Sequence, residues 1–187
     1  MSQTFVLFGP PGCGKGTQAA RLKDALGVPH ISTGEMFRDH IARKTELGEQ
    51  VEAILAGGNL VPDSVTDAMV RERLGRADVK QGALLDGYPR NVAQAKELCA
   101  ILESYGRELD GVIAIDVPSD ELVERITKRA RGPDDRDPKT IQNRLEVYRQ
   151  QSEPCIEHYA GTEIPVHHID GVGTMDEVTE RILAALK

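Results

Sequence analysis

The sequence has no apolar run long enough to cross a bilayer, no paired-cysteine motif and no surplus of positive charge. Each absence removes a class of function. A membrane-spanning helix needs about 20 consecutive apolar residues, so no membrane role is expected. Cys13, Cys99 and Cys155 are widely spaced and form no CxxC pair, which argues against a disulfide framework and a structural zinc site. They read as reduced, incidental thiols, and Cys13, despite lying near a helix start, reads as a small loop filler. A formal net charge of −7 argues against a general nucleic-acid binder, which needs a basic footprint. The segment Met1-Ser2-Gln3-Thr4 supplies no basic stretch before the first apolar run, unlike a signal or transit peptide, so a cytoplasmic location is expected. A length of 187 residues, 40% of them hydrophobic and 28% charged, suits a single domain over 1–187 with one sizeable core and small insertions.

What is present begins at the first strand. Thr4-Phe5-Val6-Leu7-Phe8 is broken by Gly9-Pro10-Pro11-Gly12-Cys13-Gly14-Lys15-Gly16-Thr17, and helical spacing follows from Gln18. Glycines let a loop wrap closely enough for several backbone N–H groups to converge on a phosphate. The helix start adds unpaired donors and its dipole, and Lys15 adds a mobile positive charge. The spacing from Gly9 through Gly14 to Lys15 fits the P-loop pattern, except that Gly16 stands where Ser or Thr is general and Thr17 follows one place later.

Further along, the helix through Leu26 is capped by Gly27, and His30-Ile31-Ser32 reads as a second strand. Thr33 is expected to cap the next helix, which turns Met36, Phe37 and Ile41 inward and carries Arg38. That helix start is a second anion site. A helix over Glu46–Ala56 stops at Gly57-Gly58, and Asp63 or Ser64 is expected to cap another running through Leu74. This helical block exceeds what one crossover needs and reads as an inserted flap at about 32–61. Gln81 to Asp86 is a strand whose terminal acid faces the ligand crevice of a parallel sheet, making Asp86 a candidate metal or water organiser. A helix over Val92–Ser104, a strand over Gly111–Val117 and a helix from Ser119 follow, the last with Arg125 and Arg129 four residues apart. Between Arg125 and Arg144 seven basic residues face three acids. In an acidic chain with a phosphate loop, that local reversal reads as an arginine lid over polyphosphate, at about 129–139. A helix with Ile141, Leu145 and Tyr148, a fifth strand Val166-His167-His168-Ile169, a Gly171–Gly173 loop and a helix over Met175–Leu186 close the chain. Both histidines read as strand residues, since no partner ligands sit at metal spacing. The alternation predicts an α/β fold: a five-stranded parallel sheet with helices on both faces. Cations scattered around one crevice favour phosphoryl transfer between two phosphates over hydrolysis, which needs an oriented water.

GPPGCGKGTQ, STGEMFR, GNLVPD, DGYPRN with Gln94 after it, and TIQNRLEVY resemble the nucleoside monophosphate kinases, and specifically the short-form adenylate kinases, over essentially the whole chain. GKGT, with Gly16, is the form that family uses. The resemblance implies reversible transfer from MgATP to AMP, giving two ADP, in a monomer with no nucleic-acid or membrane partner. It implies ATP phosphates on Gly12, Cys13, Gly14, Lys15, Gly16 and Thr17, with Arg125, Arg129 and Gly173 also on the ATP side. AMP would meet Thr33, Gly34, Arg38, Asn59, Leu60, Val61, Gly87, Tyr88, Pro89, Arg90, Gln94 and Arg144. Lys15, Arg90, Arg129 and Arg144 would be catalytic, and Mg²⁺ would arrive with ATP, organised by Thr17 and Asp86, with no zinc site. Pyrimidine monophosphate kinases of the same fold usually carry Ala in place of Thr33 and Asn in place of Gln94. The chain departs from the short-form lid pattern, where Pro133 replaces an arginine and either Arg131 or Arg136 takes its role. A UMP/CMP kinase and, in another class, a P-loop switch that hydrolyses nucleotide are the alternatives.

Overall fold

Alternate residues of the first strand leave the sheet on opposite sides, and both sides are buried. Phe5 and Leu7 join one hydrophobic cluster, Val6 and Phe8 another. The computed structural model describes residues 3–129 and 137–187, with Arg129 described by its backbone only. Strands β1 (Gln3–Phe8), β2 (His30–Ser32), β3 (Gly82–Asp86), β4 (Gly111–Asp116) and β5 (Val166–Asp170) pair in parallel in the order β2-β3-β1-β4-β5. The expected five-stranded parallel sheet is present, and its near-continuous apolar strands are those of a sheet covered on both faces.

Helices α1 (Lys15–Leu26), α6 (Ser119–Arg129) and α9 (Met175–Ala185) add Leu22, Leu122 and Ile182 to the cluster of Phe5, Leu7, Leu84, Ile113 and Ile115. Helices α4 (Asp63–Leu74), α5 (Val92–Ser104) and α8 (Glu153–Ala160) add Val70, Leu98 and Tyr159 to that of Val6, Phe8, Leu85 and Val112. Each fully buried Leu or Ile contributes about 1.5–3 kcal/mol, and this burial fixes the strand ends that carry the site. A third cluster, Phe37, Val51, Val61 and Met69, holds α2 (Thr33–Ala42), α3 (Glu46–Ala56) and α4 together away from the sheet.

Four expectations are corrected. Helix α1 starts at Lys15 rather than Gln18, because Gly14 at φ 101° turns the chain into the helix at once. Ser32, still extended, caps α2 through the Glu35 N–H, which leaves Thr33 as the first helical residue. Pro62 occupies the cap position of α4 with no side-chain cap, and Asp63 turns instead to Asn91 and Gln94. Finally, α7 (Pro138–Val147) runs into a π-helical turn over Tyr148–Ser152 and then α8. The sequence pattern did not reveal α8, because a π turn shifts the helical phase by one residue and breaks the apolar period. The lid arginines Arg131 and Arg136 lie outside the described residues.

Candidate active site

The strand order reverses beside β1, and ligands of such sheets sit outside the strand carboxyl ends at that point. There the loop from Gly9 to Gly14 packs tightly against α6: Gly12 has φ +88°, and a Cβ on it would meet Ile126 at 2.8 Å. Only glycine suits that backbone and that contact. Cys13 is buried, while Gly12, Gly14, Lys15 and Gly16 line the cleft above. The Lys15 and Gly16 N–H groups that open α1 have no carbonyl four residues back within the helix, which is the arrangement of an anion site, whereas the Thr17 N–H donates to Gly14 O at 3.0 Å. The Lys15 ammonium folds back over the loop, donating to the Gly9 carbonyl and, at 3.2 Å, to that of Pro10.

Asp86 ends β3 in the same cleft. Burial raises its pKa, but His30, Lys15 and Arg90 outweigh that effect, and the net value lies below 3.8. It is therefore ionised at neutral pH. His30, 3.7 Å away through Nε2, was not singled out from the sequence. Its approach depends on the β2–β3 register, which pairs His30 with Leu84 and Ser32 with Asp86.

The turn after Asp86 is built around one carbonyl. Gly87 O accepts from Thr33 Oγ1 at 2.8 Å and from Arg90 Nε at 2.7 Å. A Cβ on Gly87, whose φ is +79°, would sit 2.9 Å from Thr33 Oγ1. Arg90 is held at its backbone as well: its N–H donates to Gln94 Oε1 at 2.8 Å, and its carbonyl accepts from Ser152 Oγ at 2.9 Å. Its guanidinium opens onto the cleft with protein packed around it. Although the residue is exposed to the open cleft, desolvation by the surrounding walls lowers its pKa, Asp86 opposes the shift, and Arg144 and Arg38 add to it; the group stays charged at neutral pH.

Lys15, Arg38, Arg90 and Arg144 thus line one cavity of about 480 Å³, whose other wall includes Gly34, Leu55, Gly58 and Asn59. Gathering like charges is unfavourable in itself, and a bound polyanion reverses the sign. A side recess continues among Thr33, Gly34, Phe37, Leu60, Val61 and Gln94. The recess, about 30 Å³, sets apolar Phe37, Leu55, Leu60 and Val61 beside the amides of Asn59 and Gln94, a mixture that suits the edge of a flat heterocycle.

Other sequence candidates lie elsewhere. The Tyr88 side chain is buried in the core and its hydroxyl donates to Asp67 at 2.6 Å, so it is turned away from the cleft that Pro89 lines. Thr17 is exposed in the first turn of α1. Arg125 pairs with Glu121 and donates to Gly171 O at 3.1 Å, which brings it beside the exposed Gly173 loop. Nothing is described of the Arg129 side chain. His167 and His168 belong to β5, and His168 Nδ1 lies 3.0 Å from Asp116. Among the described residues no group of three or more His, Cys, Asp or Glu side chains is placed to hold a metal ion, and no helix is long and apolar enough to cross a membrane.

Comparison with known proteins gives a consistent result. The family model for adenylate kinase matches residues 7–164. An adenylate kinase of Stenotrophomonas maltophilia is 49% identical over 185 residues, covering 98% of both chains. One of Kocuria rhizophila is 51% identical over 185 residues with the same coverage, and one of Nocardia farcinica is 49% identical over 181 residues, 97% of each chain.

Proposed function

The chain belongs to the adenylate kinase family, and we propose that its cleft passes a phosphoryl group between two nucleotides whose phosphates meet at Lys15, Arg90 and Arg144. The family's reaction is reversible transfer from ATP to AMP, giving two ADP. The convergence of four cationic side chains on one cavity of an acidic protein carries the assignment of roles. Transfer between phosphates requires no side-chain nucleophile, only alignment and neutralisation of charge.

In this reading the backbone of Gly12–Thr17 and the Lys15 ammonium hold the β- and γ-phosphates, and Arg125 with the Gly171–Gly173 loop flanks the ATP base. Thr33, Gly34, Asn59, Leu60, Val61 and Gln94 enclose the AMP base. Arg38, Arg90 and Arg144 fix the AMP phosphate oxygen in line with the γ-phosphorus and stabilise the transferring group. Residues 32–61 act as the AMP flap. The lid at 129–139, with Arg129 and either Arg131 or Arg136, excludes water.

Asp86 fits an organiser of Mg²⁺: it is an ionised hard-oxygen donor beside Lys15, and one carboxylate suffices for an ion that keeps its waters and phosphate ligands. Thr17, exposed in the first turn of α1, is in this reading a nearby organiser. When bound with ATP, Mg²⁺ neutralises charge on the phosphates. A monomer in the cytoplasm completes the proposal.

Thr33 and Gln94 resemble the adenylate type rather than the pyrimidine type. Coupled assays with ATP and each monophosphate test the base assignment: the highest kcat/KM is expected with AMP, and faster turnover with CMP or UMP would overturn it.

A further inference from the structure

Gln94 is 2% exposed, and both ends of its amide are engaged. Oε1 accepts the Arg90 backbone N–H at 2.8 Å, and Nε2 donates to Asp63 Oδ1 at 2.8 Å. A backbone N–H can only donate, and an ionised carboxylate can only accept. A flipped amide would therefore set N–H against N–H and oxygen against oxygen. Asp63 is itself pinned by Asn91, whose Nδ2 lies 2.9 and 3.0 Å from its two oxygens. Asn91 is in turn fixed as the cap of α5 by the Gln94 N–H at 2.8 Å. The ring closes on itself, and its polarity is set at both ends of the amide: by the donor-only Arg90 N–H at Oε1 and by Asp63, in the first turn of α4, at Nε2.

We propose that Asp63 is a specificity-determining positioning residue: by fixing, together with the Arg90 N–H, the order of donor and acceptor on Gln94, it makes the side recess accept a 6-aminopurine and reject a 6-oxopurine. The inference rests on the reading of Gln94 as a base contact. After its two internal bonds Gln94 retains one Nε2–H and one lone pair on Oε1. The N1 and 6-amino edge of adenine offers an acceptor and a donor, in that order. Hypoxanthine, held in the same pose, offers a donor at N1 and an acceptor at O6, the reverse order. An amide free to rotate by half a turn serves both bases; one held by an acceptor-only partner serves one. Reversing a hydrogen-bonded pair against the buried Gln94 amide leaves polar groups unpaired, and this is how such sites discriminate strongly.

The test measures kcat/KM for AMP and for IMP with ATP as donor, in the wild type and in variants shown by thermal melting to be folded. Asp63→Asn offers Gln94 either an oxygen or an amide N–H and leaves only the Arg90 N–H to hold the order, so the AMP-to-IMP ratio is expected to fall several-fold, toward about tenfold, while KM for ATP is unchanged. Asp63→Glu keeps an acceptor-only group and the discrimination. Equal losses for both acceptors in Asp63→Asn, or the same loss of discrimination in Asp63→Glu, overturns the proposal. Gln94→Leu separates the two levels of the argument. It should abolish the discrimination and make a further Asp63→Asn silent. A Gln94→Leu ratio equal to that of the wild type means Gln94 does not read the base, and the underlying assignment fails. A lost ratio in Gln94→Leu with an intact one in Asp63→Asn removes the polarity lock alone.

Discussion

Arg90 is the residue at which the constraints of the cleft meet. Gly87 O holds its Nε, while Gln94 and Ser152 hold its backbone. The guanidinium is thus placed before any substrate arrives, and little reorganisation is left for the transfer step. Arg90→Ala is expected to lower kcat by about 10³–10⁵, the range found for an arginine that stabilises phosphoryl transfer, while the melting temperature stays close to that of the wild type. Near-normal turnover would remove Arg90 from the transition state. Tyr88, two residues earlier, stands in contrast. Burial first and Asp67 second push its phenol pKa upward, and burial raises that of Asp67 against the lowering effect of the Tyr88 hydroxyl. Without the hydroxyl the Asp67 value rises further. A carboxyl with a raised folded pKa weakens the fold as pH climbs through that value, and has no such effect below its unfolded pKa, about 3.8. Tyr88→Phe should therefore cost about 1–2 kcal/mol at pH 7, with a deficit that narrows as pH falls toward 4. Thermal melts across that range check it, and kcat and KM for AMP should barely move.

Elements of this chain were legible in sequence wherever one period ran unbroken, as in the apolar runs of β1 and β4 or the Val92–Ser104 helix. They were hidden where the phase shifted, at the π turn before α8. The groups lining the cleft stood out one at a time: a glycine loop, an acid at a strand end, arginines in an acidic chain. What holds them was invisible, because the partners come from distant elements. Asp63 reaches Gln94 across 31 residues of sequence, and Ser152 reaches Arg90 across 62. Such pairings follow from register and packing, which no local pattern encodes. A further instance joins the two sides of the cleft: Asn143, on α7, donates to Gly57 O at 2.8 Å and approaches Asn59 Oδ1 at 3.3 Å. The bond is exposed, so its value lies at the low end of about 0.5–1.5 kcal/mol. Asn143→Ala is expected to raise KM for AMP by about two- to fivefold and leave KM for ATP unaltered. Equal changes in both Michaelis constants would show that the contact does not act through the 57–59 turn.

Over the whole molecule two electrostatic fields of different range oppose one another. The net charge of −7 repels nucleotides from every direction, whereas Lys15, Arg38, Arg90 and Arg144 attract them over the short distance across one cavity. Salt separates the two by range. The screening length is about 30 Å at 0.01 M and about 10 Å at 0.1 M, so added salt within that interval mutes the diffuse repulsion first. Toward 1 M it contracts to about 3 Å and reaches the cleft charges as well. The value of kcat/KM for AMP is therefore expected to be flat or rising up to about 0.1 M NaCl and to fall several-fold by about 1 M, with kcat far less affected, because the proposed site puts the bound phosphates in direct contact with the arginines. Rates measured at matched Mg²⁺ over that series decide the matter. A steady decline beginning at the lowest salt would mean that the local cationic field governs approach at all distances, and that the acidic surface has no part in setting the rate.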